Sequence, residues 1–166
     1  ITAKVEFLLS ERVSETQWTA YCKPLKKLDI LDEIVFSNSL RAQVVSKNED
    51  HCALNFSKGG VSLDKEISLL GQMPLPPYIT RSRKYNESDK VNYQSIFAKH
   101  SGAIASPTAS LHFEHNMIEK LNNLGVTHSF VTLHVGAGTF LPVKSENILE
   151  HKMHSENGFI SKETAK

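Results

Sequence analysis

Three prolines within four residues, Pro74, Pro76 and Pro77, fix more about this chain than any other feature. Proline lacks a backbone donor and locks φ, so the run Met73-Pro74-Leu75-Pro76-Pro77-Tyr78 cannot be helix interior or central strand. It is a boundary. The polar stretch from Arg81 to Lys90 reads as an exposed connection behind it. A chain of 166 residues is long enough for one ordinary domain or two small ones, and the boundary favours two regions.

Before the boundary, apolar residues alternate with polar ones. Val5, Phe7 and Leu9 do so, as do Trp18, Ala20 and Cys22, then Ile34 and Phe36, Ala42 and Val44, and Cys52, Leu54 and Phe56. Period-2 spacing puts one face of each segment in a core, and the breaks between them are polar or turn-prone. Five or six short strands predict a small antiparallel barrel or sandwich. A short helix follows at about 63–70, with Gly71 as its C-terminal stop.

After the boundary the period changes. Met117, Ile118, Leu121 and Leu124 have helical spacing, and Gly125 stands where a left-handed cap belongs. Phe130, Val131, Leu133 and Val135 predict a largely buried strand, followed by a glycine loop, Gly136-Ala137-Gly138-Thr139. Helix, strand and glycine loop in that order suggest α/β architecture. Ser161-Lys162-Glu163-Thr164 reads as a helix N-cap and first turn. Ile1 is not an initiator methionine and the strand pattern begins almost at once, so the chain is expected to be part of a longer protein.

Composition excludes several classes. Hydrophobic residues at 40% and charged residues at 22% suit a globular core, not a disordered or collagen-like chain. No apolar run is long enough to span a bilayer, and no signal peptide is visible. Two cysteines, Cys22 and Cys52, make no disulfide framework, so a reducing cytoplasm is the default. A formal net charge of +1 gives no field that advertises nucleic acid. Histidine is uneven: of eight, only His51 lies before residue 95.

The individual motifs are each ambiguous. His112-x-x-His115 and His151-x-x-His154 have the spacing of one helical face and, with His134, enough imidazoles for zinc. However, no Cys-x-x-Cys or His-Glu-x-x-His accompanies them, so hydrogen-bonded histidines are the plainer reading. Gly136-x-Gly138 is half of a dinucleotide fingerprint, broken by Leu141 and followed by Pro142; it is a tight turn or a close ligand approach. Lys23, Lys26 and Lys27, and Arg81, Arg83 and Lys84, are small basic clusters that suit a solvated face or a few phosphates. Tyr78 and Tyr85 beside the second are packing residues or base-stacking platforms. As imidazoles, His134 and His154 are acid–base candidates, or core histidines with a backbone partner.

Longer words of sequence carry more. Gly71-Gln-Met-Pro-Leu-Pro-Pro-Tyr-Ile79 precedes Tyr93-Gln94-Ser-Ile-Phe-Ala98. Then come Ala105-Ser-Pro-Thr-Ala-Ser-Leu-His-Phe113, Val131-Thr-Leu-His-Val-Gly-Ala-Gly-Thr-Phe140 and His151-Lys-Met-His-Ser-Glu156. In this order the five blocks resemble the S-adenosylmethionine:tRNA ribosyltransferase-isomerases of queuosine biosynthesis, over essentially the whole chain. Where that family reads Ala-Ala-Pro-Thr-Ala-Gly-Leu-His-Phe-Thr, this chain has Ser106, Ser110 and Glu114. The family's opening segment and C-terminal portion have no counterpart in the chain.

The resemblance implies an α+β, multidomain fold. A small antiparallel β-barrel domain, here 1–92, is inserted in an α/β barrel-like catalytic domain, of which 93–166 is a part. It implies a cytoplasmic enzyme, monomeric and without a membrane partner, that uses S-adenosylmethionine as ribosyl donor and needs no metal. Its other substrate is tRNA carrying 7-aminomethyl-7-deazaguanine at the wobble position. The ribosyl unit is transferred and isomerised to give epoxyqueuosine-tRNA, with adenine and methionine released. On that chemistry His134 or His154 supplies a base and His112 assists adenine departure. Gly136, Gly138 and Thr139 line the nucleoside pocket and Gln94 and Thr108 hydrogen-bond ribose or deazaguanine, with Pro107 and Glu156 completing the substrate-binding set. An inert piece of such an enzyme that at most binds tRNA is the alternative.

Overall fold

The structure, a computed structural model, describes residues 3–140, 143, 145–151 and 153–166. Ile1, and Leu141 and Pro142, which break and follow the fingerprint, lie outside the described residues, as do Thr2, Lys144 and Lys152. The chain divides into two compact units, Ile1–Gln72 and Met73–Lys166. The division falls where the prolines begin. Residues 73–92, which the resemblance groups with the first domain, therefore fold with the second unit.

In the first unit, β1 (Glu6–Arg12), β2 (Gln17–Lys23), β3 (Glu33–Val35), β4 (Arg41–Lys47) and β5 (His51–Phe56) form one sheet in the order β1-β2-β5-β4-β3. Every pairing is antiparallel. The alternation seen in the sequence is the cause. On β4, Ala42 and Val44 are buried while Arg41 and Gln43 face solvent. Central β5 buries Cys52, Ala53 and Leu54 in succession. Helix α1 (Gly60–Leu70) adds Leu63 and Ile67 to the same core. It ends, as expected, at Gly71, which is in an extended conformation. Glycine is needed there because a Cβ would sit 2.6 Å from the Ile67 carbonyl oxygen.

Phe7 on β1 and Phe36, just past β3, belong to opposite edges of this sheet. Flat strands spaced by about 4.8 Å would hold those edges roughly 19 Å apart. Instead the two rings meet edge-to-face with centroids 5.6 Å apart, and Phe36 also stacks on Phe56 at 5.6 Å. The sheet therefore curls until its edges meet through side chains. Bulges between Leu9 and Glu11 and between Val44 and Ser46 sharpen the twist.

The second unit opens with α2 (Pro77–Ser82), where Pro77 takes the first helical position that its missing N–H suits. Short α3 (Asp89–Asn92) follows. Asp89 is buried and forks onto Arg83, whose Nη1 donates to Oδ2 at 2.9 Å and Nη2 to Oδ1 at 2.5 Å; the Asn86 N–H donates to Oδ2 at 2.8 Å. Arg83 is thus committed to a carboxylate and drops out of the second basic cluster as a phosphate ligand. The Arg83 bonds, then the Asn86 amide, hold the Asp89 carboxyl below its ordinary range. A depressed folded-state pKa means the pair's contribution is whole above about pH 4 and is lost as pH falls through the lowered value. Arg83→Gln is expected to weaken this unit at neutral pH and to flatten its stability loss in acid. Hydrogen exchange of residues 77–93 at pH 7 and pH 3 reads both effects.

Helix α4 (His115–Asn123) carries the expected Met117-Ile118-Leu121 stripe. Gly125 has φ +75°, and the Val126 N–H reaches the Leu121 carbonyl at 3.0 Å while the Gly125 N–H reaches Asn122 at 3.0 Å, a Schellman end. At the other end the Glu114 side chain caps nothing. Glu114→Asp keeps the charge and shortens the arm to a preferred capping residue, for an expected gain of about 1 kcal/mol. The family's Thr would gain less, since it also removes a carboxylate favoured at a helix start by about 0.3–1 kcal/mol. Urea unfolding midpoints of the two variants check this order.

β6 (Val131–His134) pairs antiparallel with β7 (Asn157–Ile160). The folded chain is thus α+β with antiparallel sheets. The strand is not the largely buried one expected, because Val131 and Leu133 are 54% and 61% exposed. Among the described residues β6 pairs with β7 alone, and its apolar side chains Val131 and Leu133 stay more than half accessible. Ser161 does cap a turn: its Oγ accepts the Thr164 N–H at 3.1 Å, and its carbonyl accepts that of Ala165 at 3.0 Å. No helix among the described residues is long and apolar enough to cross a membrane.

Candidate active site

The β6–β7 ladder sets His134 opposite Asn157. That register lays the glycine loop after β6 beside the residues that enter β7. The Gly136 N–H donates to Glu156 Oε1 at 3.2 Å, and His154 Nε2 lies 3.6 Å from the same oxygen. Glu156 therefore ties the loop to the imidazole. Gly138 sits directly against the His154 ring, where any Cβ would collide with it. Gly138 thus answers to close approach and not to unusual backbone. Gly136 differs, since a Cβ there would meet nothing within 4 Å.

His134 is half-buried, and its Nδ1 is buried without a hydrogen-bond partner among the described residues. The backbone partner of the plainer reading is missing at that nitrogen. Gly102, at φ +141°, packs on this ring, and a Cβ there would come within 2.6 Å of Nδ1. Its placement follows from the next residues: the Ile104 N–H donates to the Val135 carbonyl at 2.8 Å, holding 102–105 beside the end of β6. No local spacing links Gly102 to a histidine 32 residues on, so sequence reasoning misses it.

β6 also forms a wall of a cleft of about 1400 Å³ within the second unit. Phe97 packs against Phe113 and Phe130 with centroids 5.7 and 6.2 Å away, and His128 meets Phe130 edge-on at 5.1 Å. Buried Tyr93 joins this wall, and burial pushes its phenol above the ordinary value. Of the expected residues, Gln94 and Pro107 line the cleft, as do Ser106 and Ser110, two of the departures from the family pattern. Ser106 Oγ is buried without a partner among the described residues, while Ser110 Oγ donates to the Pro107 carbonyl at 2.7 Å.

The structure thus gathers His134, Gly136, Gly138, His154 and Glu156 around the end of β6, with Thr139 on the turn Ala137–Phe140 that follows. Thr108 and His112 stand apart on the turn Thr108–His112; no hydrogen bond or ion pair among the described residues joins them to that group. Nor do the His-x-x-His pairs share helical faces. His112 closes that turn while His115 opens α4, and His151 and His154 lie outside helices. Among the described residues no three His, Cys, Asp or Glu side chains converge on a metal position. Lys23, Lys26 and Lys27 are exposed, as are Arg81, Lys84 and Tyr78, whereas the Tyr85 hydroxyl is buried without a partner among the described residues.

A profile of a family described as "Queuosine biosynthesis protein" matches residues 1–166. Proteins named S-adenosylmethionine:tRNA ribosyltransferase-isomerase match nearly the whole chain. The one from Ruegeria pomeroyi is 47% identical over 165 residues, covering 99% of this chain and 47% of its own length. That from Dinoroseobacter shibae is 50% identical over 165 residues, covering 99% and 46%. The chain spans about half the length of these curated relatives. A crystal structure of an S-adenosylmethionine tRNA ribosyltransferase from Thermotoga maritima matches 80% of this chain and 34% of its own, at 25% identity and a TM-score of 0.36. The chain belongs to the queuosine biosynthesis protein family.

Proposed function

We propose that this chain carries acid–base and nucleoside-binding groups for ribosyl transfer from S-adenosylmethionine to 7-aminomethyl-7-deazaguanine in tRNA, with isomerisation to epoxyqueuosine, in the cytoplasm. The observation that carries the reading is the His154–Glu156–Gly136 connection beside His134, on the blocks of sequence that bear the resemblance. The curled sheet would be the family's inserted small barrel domain, and the second unit part of its α/β barrel-like catalytic domain.

The reaction sets three demands. The sulfonium acidifies the ribose 5′ carbon, whose proton a base must take; the departing adenine needs a proton; and the attacking aminomethyl group must be neutral. An imidazole meets the first near pH 7. His154 Nε2 stands 3.6 Å from a Glu156 carboxylate oxygen, and the buried His134 Nδ1 has no hydrogen-bond partner among the described residues. Gly136, Gly138 and Thr139 would pass close to the nucleoside, with Gln94, Pro107 and Thr108 as further substrate contacts and His112 as proton donor to adenine. The sulfonium is already an activated leaving group, so the reading calls for no metal. Separate alanine replacements of His134 and His154, made at the equivalent positions of a full-length relative, test the base. A loss of about 10²–10⁴-fold in turnover identifies it, and full turnover in both variants removes the assignment.

The second reading is a chain that binds tRNA without turnover. Filter binding of the tRNA with no adenine released would select it.

A further inference from the structure

We propose that Cys22 and Cys52 form a reversible intrachain disulfide, making one end of the β2–β5 ladder a site of oxidation by peroxide. In that ladder Ala20 pairs with Cys52 and Tyr21 with His51. Cys22 is then the diagonal neighbour of Cys52, and both thiols point to the same core as Ala20 and Leu54. Their sulfurs are 2.7 Å apart. A bonded pair sits at about 2.05 Å with Cα atoms up to about 7 Å apart, and diagonal residues lie about 7–8 Å apart, so closure asks the strands to yield by about 1 Å.

The two thiols are unequal. Cys52 is fully buried, whereas Cys22 is half-buried and is the one a small oxidant reaches first. The hydrogen bond from Cys22 is the main cause holding the Cys52 thiol below its ordinary value; burial opposes it and the Lys47 ammonium adds to it. That same bond, then burial, pushes Cys22 up. One sulfur of the pair, as thiolate, attacks a peroxide oxygen and keeps it as a sulfenic acid, while the other oxygen leaves as hydroxide and takes up the proton the thiol released, becoming water. The second thiol then attacks the sulfenic sulfur, forming the S–S bond, and its proton leaves with the hydroxyl as a second water. Two electrons pass from the thiols to the peroxide, and a dithiol reductant returns them.

The test treats the full chain with hydrogen peroxide and measures its intact mass and its non-reduced peptides. The expected result is a loss of about 2 Da, a linked peptide containing Cys22 and Cys52, and recovery of the original mass with dithiothreitol. Cys22→Ala should show no such loss. Oxygen adducts on unlinked cysteines, chain-to-chain dimers, or thiols that stay alkylatable after treatment would each overturn the proposal.

Discussion

Gly138→Ala is expected to lower turnover by about 10²-fold, the scale of misplacing a reacting group by about 1 Å. The test is made at the equivalent position of a full-length relative. The added Cβ collides with the His154 ring, which must rotate away and give up its approach to Glu156. Stability should hardly change, by less than about 1 kcal/mol, because the His154 side chain is 41% exposed and free to swing outward. Gly136→Ala is the informative contrast. Its Cβ meets nothing within 4 Å, so the ring stays in place and the loss should be much smaller. Steady-state rates with denaturation curves separate the two glycines; equal losses would mean that His154 placement is not what Gly138 protects.

Leu54→Ala should cost the first unit about 2–5 kcal/mol, the range for emptying a well-packed core position. Leu54 is fully buried on the central strand, paired with Trp18 on one side and Val44 on the other. The void opens in the middle of the curl, where the edges cannot close without breaking the Phe7–Phe36–Phe56 contacts. Val61→Ala, at a position on α1 that is 72% exposed, should move the unfolding midpoint little. Since a domain of this size holds only a few kcal/mol in reserve, Leu54→Ala is expected to leave the sheet partly unfolded at 37 °C.

The five strands of the first unit were readable because each depends on local alternation, and residues such as Ala42 and Val44 fall on the inner face at period 2. The sequence placed β6 as a strand but not its exposure, since burial of Val131 and Leu133 depends on what packs over them and no local pattern encodes that. β7 was not foreseen: Asn157-Gly158-Phe159-Ile160 has too short a pattern to mark a strand until β6 pairs with it. The site divides in the same way. Gly136, Gly138, His154 and Glu156 stood out as words of a motif, yet the difference between the two glycines is a contact with His154 across the loop. Gly102 and the Cys22–Cys52 pair were invisible, because both arise from register between segments about 30 residues apart.

The central claim meets its most direct test when the chain is incubated with S-adenosylmethionine and tRNA carrying the deazaguanine precursor. The tRNA is then digested and its nucleosides are weighed by mass spectrometry. Epoxyqueuosine, formed with one adenine released per transfer, is the predicted result. Its absence beside an active full-length relative, with the tRNA still bound, would contradict turnover by this chain and leave the binding reading in its place.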